Sequence, residues 1–524
     1  MKRSGTPFLA GDVELRDKTI LLFSAILFLT LLPGIQHGLW RPDEPQVAGV
    51  CAEMAYRKDF VVPRLNGRPF LEKPPLHYAL GATLGTVFGK DNDLSYRLVS
   101  IIFAGLTLFI VFRMVSMRES TINGLLASGV LASSWGFFKL ARWIQVDMSL
   151  VFFVTLAMYA YIRLSEKSTR WHSMLMGLSI GLSFMAKGFV GPAIIAAAIL
   201  TDLILKRDLS IIKKIRPLWA VAMMFITALP WILALYEKGG LPFLREVIVV
   251  NNLMRFTGAP EGAALGHMKG PLFYLGYFPV KFLPWTFALI PALISSLRKT
   301  KDNPYLAWFI GPFVLLSIAS AKRGVYLIPL FPACACIAAS WLSRAGKVKW
   351  EELILNAVWG IALLFAFAPL LGLFSGRPVL GVILGFLSFA GIYKITQWKG
   401  RDVIRLVMVV CLTLSSATTL YYNVKKEKRD YLGFTREALH QAMGSEIIIL
   451  MPDEIFEGTL PMITGKTYMV LGIREKIRAN GLYLWADKHD QGIQEMKKIG
   501  KVDIVLEKKI GERYARLAFI KPWQ

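Results

Sequence analysis

The sequence predicts an all-α polytopic membrane protein with about 13 transmembrane helices, followed by a small C-terminal α/β domain. Three observations carry this. Of 524 residues 55% are hydrophobic and only 19% charged, and mean hydropathy is +0.49, a balance outside the range of soluble enzymes. Apolar runs of crossing length, roughly 17–25 residues, recur up to about residue 422. Basic residues crowd alternate connections between those runs, as the positive-inside rule requires.

Taken in order, residues 1–18 are too polar for a cleavable signal, so the first apolar run is read as a retained span. Spans follow near 19–36, 97–113, 120–138, 146–163, 171–187, 188–205, 217–236, 271–297, 304–320, 324–343, 353–374, 377–394 and 402–422. With the N-terminus inside, the inner loops hold Arg113/Arg118, Arg163/Lys167/Arg170, Lys206/Arg207/Lys213/Lys214/Arg216, Arg298/Lys299/Lys301, Arg344/Lys347/Lys349 and Lys394/Lys399/Arg401. The long outer loops fall at 37–96 and 237–270, inside a membrane domain read as 1–422. Residues 447–450, 466–471 and 502–506 read as strands and 436–443 and 493–499 as helices, which makes 423–524 an outer-side α/β domain. The basic run Lys425-Lys426-Glu427-Lys428-Arg429 stands against that side assignment.

The net charge of +25 would point to nucleic acid in a soluble chain; here the inner loops account for it, and no nucleic-acid partner is expected. Four cysteines show no disulfide or zinc spacing. Trp135, Trp143, Trp231 and Trp285 sit near span ends and read as interfacial anchors.

Ionisable residues near membrane depth are costly and mark functional paths. Two polar clusters interrupt the first outer loop, Arg41-Pro42-Asp43-Glu44-Pro45 and Phe70-Leu71-Glu72-Lys73-Pro74-Pro75. The flanking prolines predict an extended or turned backbone that presents both Asp43 and Glu44 from a loop. Asp147 opens the fourth span, where the helix dipole would also satisfy it. Lys73, Arg142, Lys187, Arg255, Lys322 and Arg323 all fall on the outer side, against the insertion rule. Each alone could snorkel to headgroups, but as a group they make the cation set a lipid phosphate needs. No phosphate-binding Gly-rich loop and no nucleotide-sugar DxD signature is present.

These motifs, with Ala141-Arg142…Asp147, Ala186-Lys187-Gly188, Asn252-x-x-Arg255-Phe256, Pro284-Trp285 and Ser320-Ala321-Lys322-Arg323…Tyr326-x-x-Pro329, run in family order from about residue 19 to 340. Together they resemble the bacterial polyprenyl-phosphate-sugar glycosyltransferases of the GT-C fold. That group includes the lipid A aminoarabinose transferases and the protein O-mannosyltransferases. The resemblance implies a bacterial inner-membrane enzyme whose active site faces the periplasm, with 423–524 as its periplasmic domain. It implies a polyprenyl (undecaprenyl) phosphate-sugar donor and a lipid A, glycolipid or protein acceptor. It makes Asp43 catalytic and gives Asp147 a supporting place in the site, with Glu44 as a second candidate acid. Lys73 and Arg255 are expected on the donor phosphate, with Arg142, Lys187, Lys322 and Arg323 as further cations and Glu72, Asn252, His267 and Tyr326 in support. The chain departs from the aminoarabinose transferases at Asn251-Asn252, where those enzymes carry Glu-His. An aminoarabinose substrate, and a metal held through that His, therefore do not follow from the resemblance, and the need for a divalent ion is left open. A lipid-linked-substrate transporter is the reading from another class; it predicts mid-span polar groups and repeat symmetry, whereas these charges gather at one face.

Overall fold

The structure, a computed structural model, describes residues 8–41, 43–264, 266–298, 303–472, 475 and 480–522. Pro42 and the inner-loop lysines Lys299 and Lys301 lie outside the described residues. A helix overlaps every predicted span. Among the described residues seven helices are long and apolar enough to cross a membrane, or eight if the pair Phe273–Lys281 and Thr286–Leu297, bent by 117°, counts as one. The architecture is multi-pass, and length and composition alone do not confirm the count of thirteen. Several apolar runs fold as shorter helices, among them Thr19–Leu31, Thr121–Ser133 and Pro304–Ile318. Packed against longer neighbours, such segments need not meet bilayer thickness alone.

Two other expectations change. The 237–270 region is largely helical: the helix Pro217–Leu244 runs on into a π-helix, Arg245–Met254. The tryptophans expected as interfacial anchors are mostly interior. Trp285 is fully buried and donates to Ser133 Oγ at 2.9 Å, Trp231 donates to the Val61 carbonyl at 2.9 Å, and Trp143 to Tyr422 Oη at 3.2 Å. The four cysteines are buried and free.

The first outer region folds as helix Glu44–Arg57, a short hairpin of Arg64–Leu65 with Arg68–Pro69, and helix Leu76–Phe88. The C-terminal sheet runs, in space, Val470–Leu471, Ile447–Leu450, Leu482–Asp487, Arg513–Pro522, Gly500–Ile510. Its first three strands are parallel and the last two antiparallel to their neighbours. The sequence reading missed Leu482–Asp487, Arg513–Pro522 and the helix Glu454–Thr464. That helix joins the two parts of the molecule by packing on Glu44–Arg57, with backbones so close that a Cβ on Gly49 would lie 2.4 Å from Gly458 Cα. Only glycine permits the approach. Asn66 adds a reciprocal pair with Tyr468, donating to its carbonyl at 2.8 Å and accepting from its N–H at 2.7 Å. The sheet unit therefore braces the helix that Asp43 caps.

Candidate active site

Asp43 and Glu44 are helix-start residues, not loop residues. Asp43 has αR geometry and precedes the first helical turn, and from there the two side chains diverge. Glu44 is fully buried. Its Oε1 meets Arg97 Nη1 and accepts from the Ile144 N–H at 3.0 Å, and its Oε2 accepts from the Trp40 N–H at 2.9 Å and lies 3.3 Å from His37 Nε2. Burial alone would raise this carboxyl; the charges of Arg97 and His37 and its hydrogen bonds instead hold it at about 2. Arg142 belongs to the same interior: it is fully buried, donates to the carbonyls of Pro33 at 2.9 Å and Phe138 at 2.8 Å, and stacks on the Phe138 ring. These two candidates are spent on architecture.

Asp43 turns the other way. Both its oxygens accept from Arg323 Nη2, at 2.8 and 2.7 Å, and Oδ2 also accepts from Gln145 Nε2 at 2.5 Å. Burial works to raise this carboxyl, but Arg323, Lys73 and Lys187 outweigh it and hold the group below the ordinary carboxylate range. Asp147 opens the helix Asp147–Glu166 and pairs with Lys187, the last residue of the helix Arg170–Lys187. The opposed directions of these helices bring a helix start and a helix end to one level. Lys187 is held where it is by local backbone. Gly188 has φ +66°, and a Cβ there would sit 2.4 Å from Asn252 Oδ1. That same Oδ1 accepts from the Phe189 N–H at 2.8 Å. The Ala-Lys-Gly motif thus needs its glycine, and Asn252 is the peg it turns on.

Glu72 lies 3.7 Å from Lys73 Nζ and 3.8 Å from Arg255 Nη1, while Lys187 Nζ lies 4.4 Å over the Tyr326 ring. Glu72, Lys73, Lys187, Asn251, Asn252, Arg255 and Tyr326 converge on one narrow cavity of about 90 Å³ whose apolar wall includes Val190, Ala193, Leu315, Leu316 and Ala319. Two buried atoms there, Arg255 Nε and Asn251 Oδ1, have no hydrogen-bond partner among the described residues. Asn251 cannot simply flip, because its Nδ2 donates to Glu246 Oε1 at 2.8 Å. Buried polar atoms without partners are uncommon in a finished fold.

Asp43 and Arg323 line an adjoining cavity of about 330 Å³ with Arg41, Lys139, Lys281 and Arg429. Lys139, Trp143 and Arg429 also border a third, mainly aromatic cavity of about 610 Å³ formed by Trp40, Trp135, Phe365, Tyr421 and Tyr422. His267 borders none of these cavities; burial, Arg323 and Arg255 together push its imidazole down, which sets it beside the cation group. Lys322 is directed elsewhere, its ammonium donating to the carbonyls of Lys269 at 3.0 Å and of Ala319.

The structure therefore gathers Asp43, Glu72, Lys73, Asp147, Lys187, Asn252, Arg255, Arg323 and Tyr326 and excludes Glu44, Arg142 and Lys322. Sequence reasoning missed Arg97, His37, His77 and Gln145. Arg97 carried a signal, since an arginine entering an apolar run demands an acidic partner. Among the described residues no three His, Cys, Asp or Glu side chains could share a metal. Asp43, Asp147 and Glu72 each face a cation instead of one another. The donor set does not fit a divalent ion.

A phosphate-sized cation pocket with an apolar wall, at one end of an apolar helix bundle, has the chemistry to hold a lipid-linked anion. Comparison with known proteins makes the class specific. Residues 72–233 match the family described as dolichyl-phosphate-mannose-protein mannosyltransferase. A relative from Pectobacterium atrosepticum, named undecaprenyl phosphate-alpha-4-amino-4-deoxy-L-arabinose arabinosyl transferase, is 28% identical over 71% of this chain and 66% of its own length. One of the same name from Serratia proteamaculans is 25% identical over 94% of this chain and 93% of its own. The crystal structure of ArnT from Cupriavidus metallidurans bound to undecaprenyl phosphate superimposes with a TM-score of 0.78, covering 97% of this chain and 98% of that one at 17% identity. The chain shares the fold of that structure, the GT-C fold that its ordered motifs imply.

Proposed function

We propose that the protein transfers a sugar from an undecaprenyl-phosphate or similar polyprenyl-phosphate donor to an anionic lipid, lipid A or another glycolipid, at the periplasmic face of a bacterial inner membrane. The observation that carries this is the joint chemistry of one cavity. Lys73, Lys187 and Arg255 suit a phosphate, and the Val190–Leu316 side suits a prenyl chain; a soluble sugar nucleotide would need only the first. The names of the relatives, which specify undecaprenyl phosphate, support the same donor.

In the reaction an acceptor oxygen attacks the anomeric carbon and the bond to the donor phosphate oxygen breaks. The departing polyprenyl phosphate gains charge, and Lys73, Arg255 and Lys187 stabilise it where it forms. Asp43 is already ionised and doubly bonded to Arg323, so it is a weak proton acceptor. That favours an acceptor that arrives ionised, a lipid phosphate, with Asp43 positioning Arg323 and Gln145 at the attacking oxygen. The aromatic cavity rimmed by Lys139 and Arg429 offers such an acceptor a place for acyl chains and headgroup together. A protein hydroxyl, as in an O-mannosyltransferase, would instead require Asp43 to take up a proton. The Asn251-Asn252 departure leaves the sugar unassigned.

The test is transfer of radiolabelled sugar from polyprenyl-phosphate donors by purified protein, wild type against Asp43→Asn, with lipid A and with the same lipid stripped of its phosphates. Label on the phosphorylated lipid only, lost in the variant, supports the reading. Label on the stripped lipid or on protein moves the acceptor to a hydroxyl. Solute or lipid movement in liposomes with no transfer from any donor would revive the transporter.

A further inference from the structure

A cavity of about 720 Å³ at the other end of the bundle takes no part in the reaction above. Its wall includes Arg118, whose Nη1 pairs with Glu166 Oε1 at 3.0 Å. Glu166 ends the helix that Asp147 begins. At about 1.5 Å per residue, that helix separates the two sites by roughly 30 Å. The positive-inside pattern makes this the cytoplasmic end.

Insertion bias explains basic residues there, but not what surrounds them. The cations of the wall are all arginines, Arg118, Arg298, Arg344 and Arg401, whose forked donors match phosphate oxygens better than lysine does. Arg118 is committed to Glu166, and Arg344 Nε to the Ser340 carbonyl at 2.8 Å. The side chains of Arg298 and Arg401 are exposed and have no hydrogen-bond or ion-pair partner among the described residues. Among the described residues the wall's one carboxylate, Glu119, is already occupied: it accepts from Asn123 Nδ2 at 2.6 Å and Ser340 Oγ at 2.5 Å. Tyr305 also lines the cavity, is only 4% exposed, and its hydroxyl has no partner. One wall thus holds a buried hydroxyl without a partner and two exposed guanidinium groups free to meet an anion.

We propose that this cavity is a second anion site, which binds a phosphate group between Arg298 and Arg401 with the Tyr305 hydroxyl as a third donor. The phosphate belongs either to an inner-leaflet lipid headgroup or to a soluble phosphate ester. The inference does not depend on the proposed reaction and survives its failure.

The test uses the full chain in detergent, in a Lys73→Gln/Arg255→Gln background that silences the pocket at the opposite end. Native mass spectrometry follows binding of short-chain phosphatidic acid, inorganic phosphate and short-chain phosphatidylcholine. We expect saturable binding of phosphatidic acid that weakens at least tenfold in Arg298→Gln/Arg401→Gln and about threefold in Tyr305→Phe, which keeps the packing volume. Inorganic phosphate binding as tightly, with the same sensitivity, assigns a soluble ligand; phosphatidic acid alone assigns a lipid. Equal binding of phosphatidylcholine, no saturable binding of either phosphate probe, or affinities unchanged in both variants overturns the proposal.

Discussion

Asp43 and Glu44 are neighbours in sequence and belong to two different regions of the molecule. Around Glu44 the carboxylate is fully met: Arg97 is shared by Glu44 and Asp93, and backbone N–H groups fill the remaining acceptor positions of Glu44. Around Asp43 the balance tips, with Lys73, Lys187, Arg255 and Arg323 facing Asp43, Asp147 and Glu72. Both regions are charged and largely buried, so burial alone does not mark function. Unpaired buried atoms occur in both, Arg97 Nε and Arg142 Nη2 in one and Arg255 Nε and Asn251 Oδ1 in the other; what marks the site is the surplus cation that lines a cavity. A charge cluster that closes on itself is architecture; one that remains open is a site.

The comparison can be broken most sharply at Glu44. Glu44→Ala leaves Arg97 buried with only Asp93 beside it, a loss of about 3–5 kcal/mol. The expected result is loss of monodisperse protein on size exclusion, not an intact but inactive enzyme. An active, stable Glu44→Ala protein would erase the distinction between the two regions. Next in size is Asp43→Asn, expected to keep its elution profile and melting temperature but lose at least about a hundredfold in transfer rate, the scale of a lost electrostatic contact at a reacting centre.

Smaller effects sharpen the picture. Lys73→Gln or Arg255→Gln should each lower kcat/KM roughly ten- to hundredfold, because the other cations still meet the phosphate, and the double variant should fall further than either. A buried histidine beside the site, His77, whose Nδ1 lies 2.7 Å from Ser149 Oγ, adds a pH dependence of stability. Burial, outweighing Asp147 and aided by Lys73, holds the His77 imidazole down at about 3. A buried neutral histidine binds fewer protons than its unfolded form, so stability is complete above about pH 6.5 and declines as pH falls towards 3, by at most about 1.4 kcal/mol per pH unit. Melting curves between pH 7 and 5 should slope less in His77→Gln than in wild type. The smallest effect belongs to Lys322→Ala. Its ammonium is engaged with the carbonyls of Lys269 and Ala319 and does not line the cavity, so transfer should change less than about threefold; a hundredfold loss would return Lys322 to the phosphate site.

Much of this was legible in the chain. Composition and run length gave the membrane class, because a bilayer imposes its demands on every stretch of sequence that crosses it. The loop motifs marked nearly all the charged residues that line the site, since a cation on the disfavoured side of a membrane must have a reason. The count of spans was less legible: hydrophobic runs such as 271–297 read as one crossing, yet the chain bends there by 117°. Strands of the C-terminal sheet escaped notice where their alternation was weak, as in Leu482–Asp487, all of whose residues are buried.

The sequence by itself determined which residues are chemically costly and at which end of the bundle they gather. Hydropathy and charge order are properties of the chain alone. Only the tertiary structure decided which of those residues are paid off internally. Pairing joins Glu44 to Arg97 across 53 positions and Asp43 to Arg323 across 280, and nothing local distinguishes two adjacent carboxylates until the helix they begin turns one inward and the other towards the cavity.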